Sequence, residues 1–285
     1  MKIMGKKLWM QLSAFALMCS ISFTAGLYAQ SNAAAQATAD PIPKIHVKGL
    51  TVTNLSQKEK YSMKAAGTKD TAYCSYDVTY QTFKGKGKSK RLASGLNMLM
   101  HNAITTDTAH LELPLEKRVE QDAREFREEW QRLNSDANAR WTFNYTKEQK
   151  FAAIHANRHF VSVKDQAYYF TGGAHGFRVT VYTLIENKTG QPVDNWHTLF
   201  TDTNAVLKIA ESAFRKAKQI PDGETINQSW FWNGKFYLPD NFAYTEKGIL
   251  FFYNVYEIAP YEQGETELLL DYESLGKLLI KPNVK

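Results

Sequence analysis

Apolar and polar residues alternate along the segment that starts at Tyr73, with every second position apolar. The apolar positions are Cys74, Tyr76, Val78 and Tyr80. Successive side chains of a strand point to opposite faces, so this pattern predicts a half-buried β-strand. Residues 92–105, where leucine and methionine are frequent, are predicted to form a helix after it.

The strongest helical pattern covers residues 115–133. Apolar residues recur there at intervals of three and four, namely Leu115, Val119, Ala123, Phe126, Trp130 and Leu133. Charged residues occupy the opposite face, and Pro114 stands where a first-turn proline is common. We therefore predict an amphipathic helix whose Phe126 and Trp130 pack against a sheet.

The second half of the chain is dominated by short apolar runs typical of strands. Trp141, Phe143 and Tyr145 alternate with polar residues, and further strands are predicted at 151–156, 160–170, 177–185, 242–244, 249–256 and 267–270. Helices are predicted at 204–218, capped by Asp202 or Thr203, and at 272–280. Because the helices lie between runs of strands without regular alternation, we predict an α+β fold. Its expected form is two packed antiparallel-sheet subdomains with flanking helices.

The first 29 residues have the pattern of a secretory signal. Lys2, Lys6 and Lys7 precede an apolar run over residues 8–28, and Ala29 offers a small residue for cleavage. The sequence thus predicts export to the periplasm or the extracellular side of a bacterial envelope. Two alternatives stay open, since the run is long enough to serve as an uncleaved anchor and Cys19 could carry a lipid. Membrane contact is expected only in those two cases.

Composition changes along the chain and divides it into four predicted parts. Residues 1–29 form the signal peptide, and residues 30–43, which are small and polar, form a linker. Residues 44–160 are assigned to a smaller N-terminal α+β domain and residues 161–285 to a C-terminal α+β domain.

The net charge of the 285-residue chain is +6, from 35 Lys and Arg against 29 Asp and Glu. An apolar fraction of 44% is ordinary for a globular protein and excludes disordered, collagen-like and coiled-coil classes. Without the three lysines of the signal, the charge of residues 30–285 falls to +3. Much of this positive charge lies in the glycine-rich run 84–91. We interpret this run as a solvated connection, with a polyanion site as the alternative, and expect no nucleic-acid partner because no aromatic residue stands between its charges to stack a base.

Common catalytic and metal-binding signatures are missing from the sequence. There is no nucleophile elbow, no Walker loop and no His-Glu-x-x-His motif, so no catalytic residue, metal or cofactor is assigned. His155 and His159 have the spacing that chelates a metal from a helix. On a strand, however, four residues span about 13 Å, too far for one zinc ion. Cys74 is the single cysteine of residues 30–285 and is expected to be a buried thiol.

Two segments have compositions that are typical of ligand sites. In the first, three aromatic residues lead into a turn with three glycines, which favours positive φ angles and backbone N–H groups that can face a ligand. Its candidate binding residues are Tyr169, Gly172, Gly173, His175 and Gly176. The alternative is a tight strand connection with a purely structural role.

The second segment, residues 256–264, places a proline between tyrosines at the end of a predicted strand. Its candidate binding residues are Tyr256, Glu257, Pro260 and Tyr261. Tyrosine offers a broad contact area with one polar tip, which suits recognition of sugars or protein surfaces. The alternative is an aromatic corner that fixes the end of the strand.

Both segments, together with the turn 187–190 and the run 196–200, resemble the domain of unknown function at the extracellular end of RsiV-type anti-sigma factors. The same domain accompanies PdaC-type peptidoglycan deacetylases. The strand and helix of residues 73–105 resemble the smaller domain that precedes it, and the resemblance covers residues 45–280. It implies an RsiV-like C-terminal domain without a known active site. In RsiV-type members the module binds lysozyme, whereas the deacetylases act through a separate domain whose Thr-Phe-Asp-Asp-Gly motif is missing from this sequence.

We therefore predict an exported, non-catalytic envelope module that binds a lysozyme-like protein or a peptidoglycan-derived ligand. Two alternatives remain at this point. One is a cell-wall or glycan hydrolase that uses Glu257 and His175 as acid and base. The other is a structural envelope protein without a ligand.

Overall fold

The computed structural model describes residues 42–104, 113–221, 223–227 and 229–280. The predicted signal peptide and most of the predicted linker lie outside these residues. In chain order the elements are β1 (Leu50–Lys64), β2 (Thr71–Gly85), α1 (Ser89–Ile104), α2 (Leu115–Asn134), β3 (Tyr145–Ala156), β4 (Phe160–Phe170), β5 (Phe177–Glu186), β6 (Pro192–Val193), α3 (Thr203–Lys218), β7 (Phe242–Tyr244), β8 (Gly248–Tyr253), β9 (Thr266–Asp271) and α4 (Tyr272–Leu275). Short 3₁₀ turns cover Trp196–Leu199, Tyr261–Gln263 and Gly276–Leu278.

Within the described residues the strands form a six-stranded sheet in the order β1-β2-β3-β4-β5-β6 and a three-stranded sheet in the order β7-β8-β9. Neighbouring strands are antiparallel, except that β2 and β3 are parallel. The parallel pair follows from the connection between these strands, because α1 and α2 carry the chain back across the sheet. The predicted α+β class is confirmed.

One face of the six-stranded sheet packs against α1 and α2. The alternation predicted for β2 is confirmed, because Cys74, Tyr76, Val78 and Tyr80 are all buried. Burial raises the pKa of the Cys74 thiol to about 11, so little of the nucleophilic thiolate forms at neutral pH. Trp130 of α2 packs beside Cys74 and donates from Nε1 to the Phe143 carbonyl at 2.9 Å, which confirms its predicted role in the core.

A second core lies between the three-stranded sheet and α3. Phe214 of α3 and Phe251 of β8 are fully buried there, and so is Phe231 from the connection between α3 and β7. The helix begins as predicted, since the Asp202 carboxylate accepts the Ala205 N–H at 3.0 Å. Among the described residues, no helix is both long and apolar enough to cross a membrane.

Several predicted elements differ from the structure in their bounds. β3 is one strand over Tyr145–Ala156, which joins two predicted segments, and Pro114 is the N-cap of α2 rather than a first-turn residue. The predicted closing helix is a short α-helix followed by a 3₁₀ turn, because Gly276 takes a positive φ of 44°. The predicted domain boundary after residue 160 falls at the start of β4, within the six-stranded sheet, and this division stays a prediction.

Candidate functional site

The two segments singled out in the sequence meet in space. His175, in the turn between β4 and β5, stacks on Tyr261, with ring centroids 5.2 Å apart and an interplanar angle of 26°. The Tyr256 ring lies 5.4 Å from the same tyrosine. The fold thus brings together aromatic rings that are about eighty residues apart in the chain.

The β4–β5 turn needs its glycines for backbone geometry. Gly172 and Gly173 have φ angles of 96° and 95°, a region that other residues rarely adopt. A Cβ on Gly176 would lie 2.2 Å from the Tyr168 hydroxyl oxygen, so a larger residue there would have to displace the Tyr168 ring. His175 is exposed and its Nδ1 lies 3.1 Å from the Gly176 carbonyl oxygen. The glycines therefore shape a turn that presents the imidazole to solvent.

A tight turn presents Tyr256 in the same way. The Glu257 carboxylate accepts the Asn254 N–H at 2.9 Å, and the Glu257 N–H donates to the Asn254 carbonyl at 3.1 Å. Burial raises the pKa of Glu257, although the bond from Asn254 opposes that rise. Tyr256 itself has a φ of 64°, and its side chain is 47% exposed. A strained backbone is thus held in place while the ring projects outward.

Pro260 positions the third ring. It precedes the 3₁₀ turn Tyr261–Gln263, which the Gly264 N–H closes by donating to the Tyr261 carbonyl at 2.9 Å. The fixed φ of proline suits the start of such a turn. Tyr261 is 46% exposed as a result.

Two further aromatic residues border the site, and the sequence interpretation missed both. Trp232 donates from Nε1 to the Tyr256 carbonyl at 3.2 Å, and Tyr237 donates from its hydroxyl to the Glu257 carbonyl at 3.4 Å. Both side chains are exposed. The aromatic density of residues 230–237 was the available signal. We call the group of His175, Trp232, Tyr237, Tyr256 and Tyr261 the aromatic surface.

Two asparagines fix this surface to the six-stranded sheet. Asn254 accepts the Thr180 N–H at 2.7 Å and donates to the Thr180 carbonyl at 3.0 Å. Asn241 accepts the Tyr182 N–H at 2.7 Å and also donates to Thr180. Both amides thereby satisfy backbone groups of β5 as a neighbouring strand would.

Tyr169 does not join the aromatic surface. Neighbouring residues of β4 point to opposite faces, so Tyr168 lies beneath Gly176 while Tyr169 faces the helices. There Lys147 Nζ lies 5.5 Å from the centre of the Tyr169 ring. We call the group that surrounds this lysine the polar cluster, and it consists of Tyr76, Asp122, Lys147, Gln149, Asp165 and Tyr169.

The polar cluster contains a buried ion pair. Lys147 Nζ lies 2.5 Å from Asp122 Oδ2, and the two side chains are 4% and 14% exposed. The Tyr76 hydroxyl donates to the same carboxylate oxygen at 2.6 Å, and Lys147 also donates to the Ile104 carbonyl at 3.2 Å. Burial alone would lower the pKa of Lys147, but Tyr169 and Asp122 raise it overall. The lysine is therefore a cation in the folded protein.

Asp165 is the second carboxylate of the cluster. It accepts the Gln149 side-chain N–H at 2.9 Å, and burial raises its pKa to about 6 against the opposing effects of Gln149 and Lys147. A carboxyl group with a raised pKa binds its proton more tightly in the folded chain than in the unfolded one. Its stabilising contribution is present below about pH 4 and is lost as the pH rises through about 6.

We expect Asp165→Asn to remove this pH dependence. At pH 7.5 the unfolding free energy of the variant should be about 2 to 3 kcal/mol higher than that of the unmodified chain, and the two values should converge near pH 4. Urea unfolding across this range measures the difference. Asp240→Asn, which removes an exposed carboxylate, corrects for the change in net charge. A difference that does not vary with pH would contradict the assignment.

The residues considered for acid-base or metal chemistry have other contacts. Glu257 is bonded to the Asn254 backbone, and His175 is stacked on Tyr261. His155 lies in β3 and His159 in the turn that follows it. Across the residues that the structure describes, no group of three or more His, Cys, Asp or Glu side chains is placed to hold a metal ion.

Comparison with known proteins matches two parts of the chain. Residues 197–273 match the family model of a protein of unknown function, DUF3298, and residues 67–178 match the model named deacetylase PdaC. No curated protein matches the sequence significantly.

Two solved structures share the fold. A DUF3298 family member from Bacteroides fragilis has a TM-score of 0.61 at 19% identity, over 82% of this chain and 94% of the other. A DUF3298 family protein from Pseudomonas aeruginosa has a TM-score of 0.52 at 18% identity, over 86% and 96%. The resemblance drawn from the sequence is confirmed: this chain joins a segment similar to the PdaC model to a segment similar to the DUF3298 family of unknown function.

Proposed function

We propose that the chain is an exported binding module of the bacterial envelope. The aromatic surface recognises its ligand, which is a peptidoglycan-derived fragment or a lysozyme-like protein. The observation that carries this proposal is the contact of His175 and Tyr256 with Tyr261, which joins the two candidate segments into one exposed group of rings.

The backbone around these rings supports binding because it is already ordered. Hydrogen bonds from Trp232, Tyr237 and Asn254 hold the loop that carries Tyr256. Little conformational entropy is then lost when a ligand orders the rings, so more of the contact energy appears as affinity. Tyrosine and tryptophan also combine apolar faces with polar tips, which suits sugars as well as protein surfaces.

Charge beside the rings favours a basic partner protein over a neutral glycan. Glu262, Glu265 and Glu267 follow Tyr261 closely in the chain, and all three are exposed. Acidic residues at the edge of a contact accelerate association with a basic surface and make it sensitive to salt. A lysozyme-like protein with a basic face would provide such a surface.

Binding assays with lysozymes and with muropeptides test the proposal. We expect Tyr261→Ala and His175→Ala each to weaken binding about tenfold, because each removes a central ring of the contact. Isothermal titration calorimetry measures the dissociation constants, and circular dichroism checks the fold of each variant.

Met98→Ala is the matched control, since Met98 is 53% exposed on α1, away from the aromatic surface. It should bind as the unmodified chain does. Binding that neither ring variant weakens would remove the aromatic surface as the site. Failure of every lysozyme and muropeptide to bind would favour a structural envelope protein.

A further inference from the structure

Four separate segments meet at one end of the six-stranded sheet. The first two are residues 43–49, which lead into β1, and residues 84–91, which cover the end of β2, the turn after it and the start of α1. The Lys86 N–H donates to the Gly49 carbonyl at 2.8 Å, and the Ser89 hydroxyl donates to the Lys48 carbonyl at 2.6 Å. These contacts place the two segments side by side.

The other two segments are the turns 157–159 and 187–190. The Asn187 N–H donates to the His159 carbonyl at 2.8 Å, which joins the two turns. Gly190 packs against the start of α1, because a Cβ on it would lie 2.1 Å from the Arg91 carbonyl oxygen. All four segments therefore form one continuous surface, which we call the basic pole.

Positive charge is concentrated on the basic pole. Its exposed basic residues are Lys44, Lys48, Lys84, Lys86, Lys88, Lys90, Arg91, Arg158 and Lys188. None of the four segments contains Asp or Glu. Since residues 30–285 carry a net charge of only +3, these nine charges leave a net of −6 for the rest of that range. The charge of the chain is therefore strongly polarised toward one end of the sheet.

We propose that the basic pole docks on the anionic headgroups of a lipid bilayer. Clusters of lysine and arginine on a protein surface are attracted to anionic membranes, and each such residue near the surface adds to the affinity. The glycine-rich run 84–91 presents five of these charges from the end of β2, the turn that follows it and the first residues of α1, and all five side chains are exposed. The positive charge of the basic pole is thus complementary to a surface rich in phosphate groups.

The order of the chain favours a membrane over a soluble polyanion. The basic pole begins at residue 43, and the sequence before it includes the apolar run 8–28, which is predicted to direct export or to anchor the chain. The chain therefore enters the described fold at the same surface that carries the charge. The four segments also contain no Phe, Tyr or Trp that could stack the bases of a nucleic acid.

The direction of β4 keeps the aromatic surface accessible in this arrangement. Phe160 pairs with Glu186 beside the basic pole, whereas Tyr169 pairs with Phe177 beside the His175 turn. A strand of 11 residues is roughly 35 Å long, so the two surfaces lie at opposite ends of the sheet. Membrane docking is independent of the proposed ligand and leaves its site facing away from the bilayer.

Vesicle binding of the full chain tests this inference. The probes are vesicles of phosphatidylcholine alone and vesicles with equal parts of phosphatidylcholine and phosphatidylglycerol. We expect the chain to prefer the anionic vesicles at low ionic strength and to lose that preference at high salt. Because the apolar run 8–28 contributes to both vesicle types, the ratio of the two partition coefficients isolates the electrostatic contribution.

The variant replaces four lysines of the basic pole by glutamine, at Lys84, Lys86, Lys88 and Lys90. The ratio should fall at least about tenfold. A matched control makes the same change in net charge at four exposed lysines elsewhere, Lys208, Lys216, Lys247 and Lys277, and should keep most of the preference.

Three results would overturn the inference. The first is equal binding of the unmodified chain to both vesicle types. The second is an equal loss in the two quadruple variants, which would show a dependence on net charge alone. The third is salt-sensitive binding to duplex DNA or polyphosphate without preference for anionic vesicles, which would assign the basic pole to a soluble polyanion.

Discussion

The Lys147→Met variant is expected to lose about 3 to 5 kcal/mol of unfolding free energy, because it leaves the buried Asp122 carboxylate without its cation. Lys147 Nζ lies 2.5 Å from Asp122 Oδ2 in the folded protein, and both side chains are largely removed from water. The Tyr76 hydroxyl would still donate to Asp122, but one neutral hydrogen bond does not replace a charge partner.

Urea unfolding followed by circular dichroism measures this loss. The double variant Lys147→Met/Asp122→Asn serves as the matched control, because it removes the uncompensated charge and keeps an acceptor for Tyr76. We expect it to recover more than half of the loss, since buried ion pairs are often replaceable by neutral groups of similar volume. A single variant that loses less than about 1 kcal/mol would show that the pair does not need its cation.

The polar cluster was not predicted from the sequence, because its residues are of types that usually lie at the protein surface. Lys147 and Gln149 alternate in β3 with Glu148 and Lys150, so polar side chains occupy both faces of the strand. Only the packing of α1 and α2 decides which face is buried. The hydrophobic pattern identified β2, β4 and α2 correctly because each has one clearly apolar face.

Strand β1 escaped prediction for a related reason. It is an edge strand with no fully buried side chain, and threonine, serine and lysine occupy much of its length. Its pairing with β2 over 15 residues is fixed by backbone hydrogen bonds, which depend little on side-chain type. The spacing of apolar residues therefore does not identify such a strand.

The candidate site was predictable as two segments but not as one surface. Glycine and tyrosine content identified the His175 turn and the Tyr256 segment, whereas their contact depends on how β7 of the three-stranded sheet packs beside β5. Tyr169 was included because it is one of three aromatic residues that lead into the His175 turn, yet strand alternation places it in the polar cluster. Trp232 was missed because residues 219–241 lack any periodic pattern.

The basic pole could not be predicted from the sequence either, because its charges come from segments that only the fold brings together. The run 84–91 was evident, and taken alone it is an ordinary solvated connection. Arg158 and Lys188 are about thirty residues apart in the chain and unremarkable individually. The antiparallel pairing of β4 with β5 brings their turns together, and contacts with α1 then add the run 84–91.

The second large effect is expected for Asn254→Ala, which should lower the unfolding free energy by about 2 to 4 kcal/mol. The change leaves the Thr180 N–H without the acceptor at 2.7 Å and removes one of two donors to the Thr180 carbonyl. Thr180 is fully buried in the sheet, so water cannot readily replace these bonds.

This variant also separates stability from binding. Because Asn254 connects β5 to the turn that presents Tyr256, its loss should increase hydrogen exchange at the Thr180 amide and weaken ligand binding in the still folded protein. Asn233→Ala is the matched control, since the Asn233 side chain accepts the Lys235 N–H in an exposed turn. Equal stability and equal exchange in the two variants would show that the asparagine bonds do not hold the aromatic surface. Faster exchange at Thr180 together with a mobile Tyr256 loop in Asn254→Ala alone would show that the aromatic surface depends on these bonds for its order, and that its affinity depends on backbone groups no ligand touches.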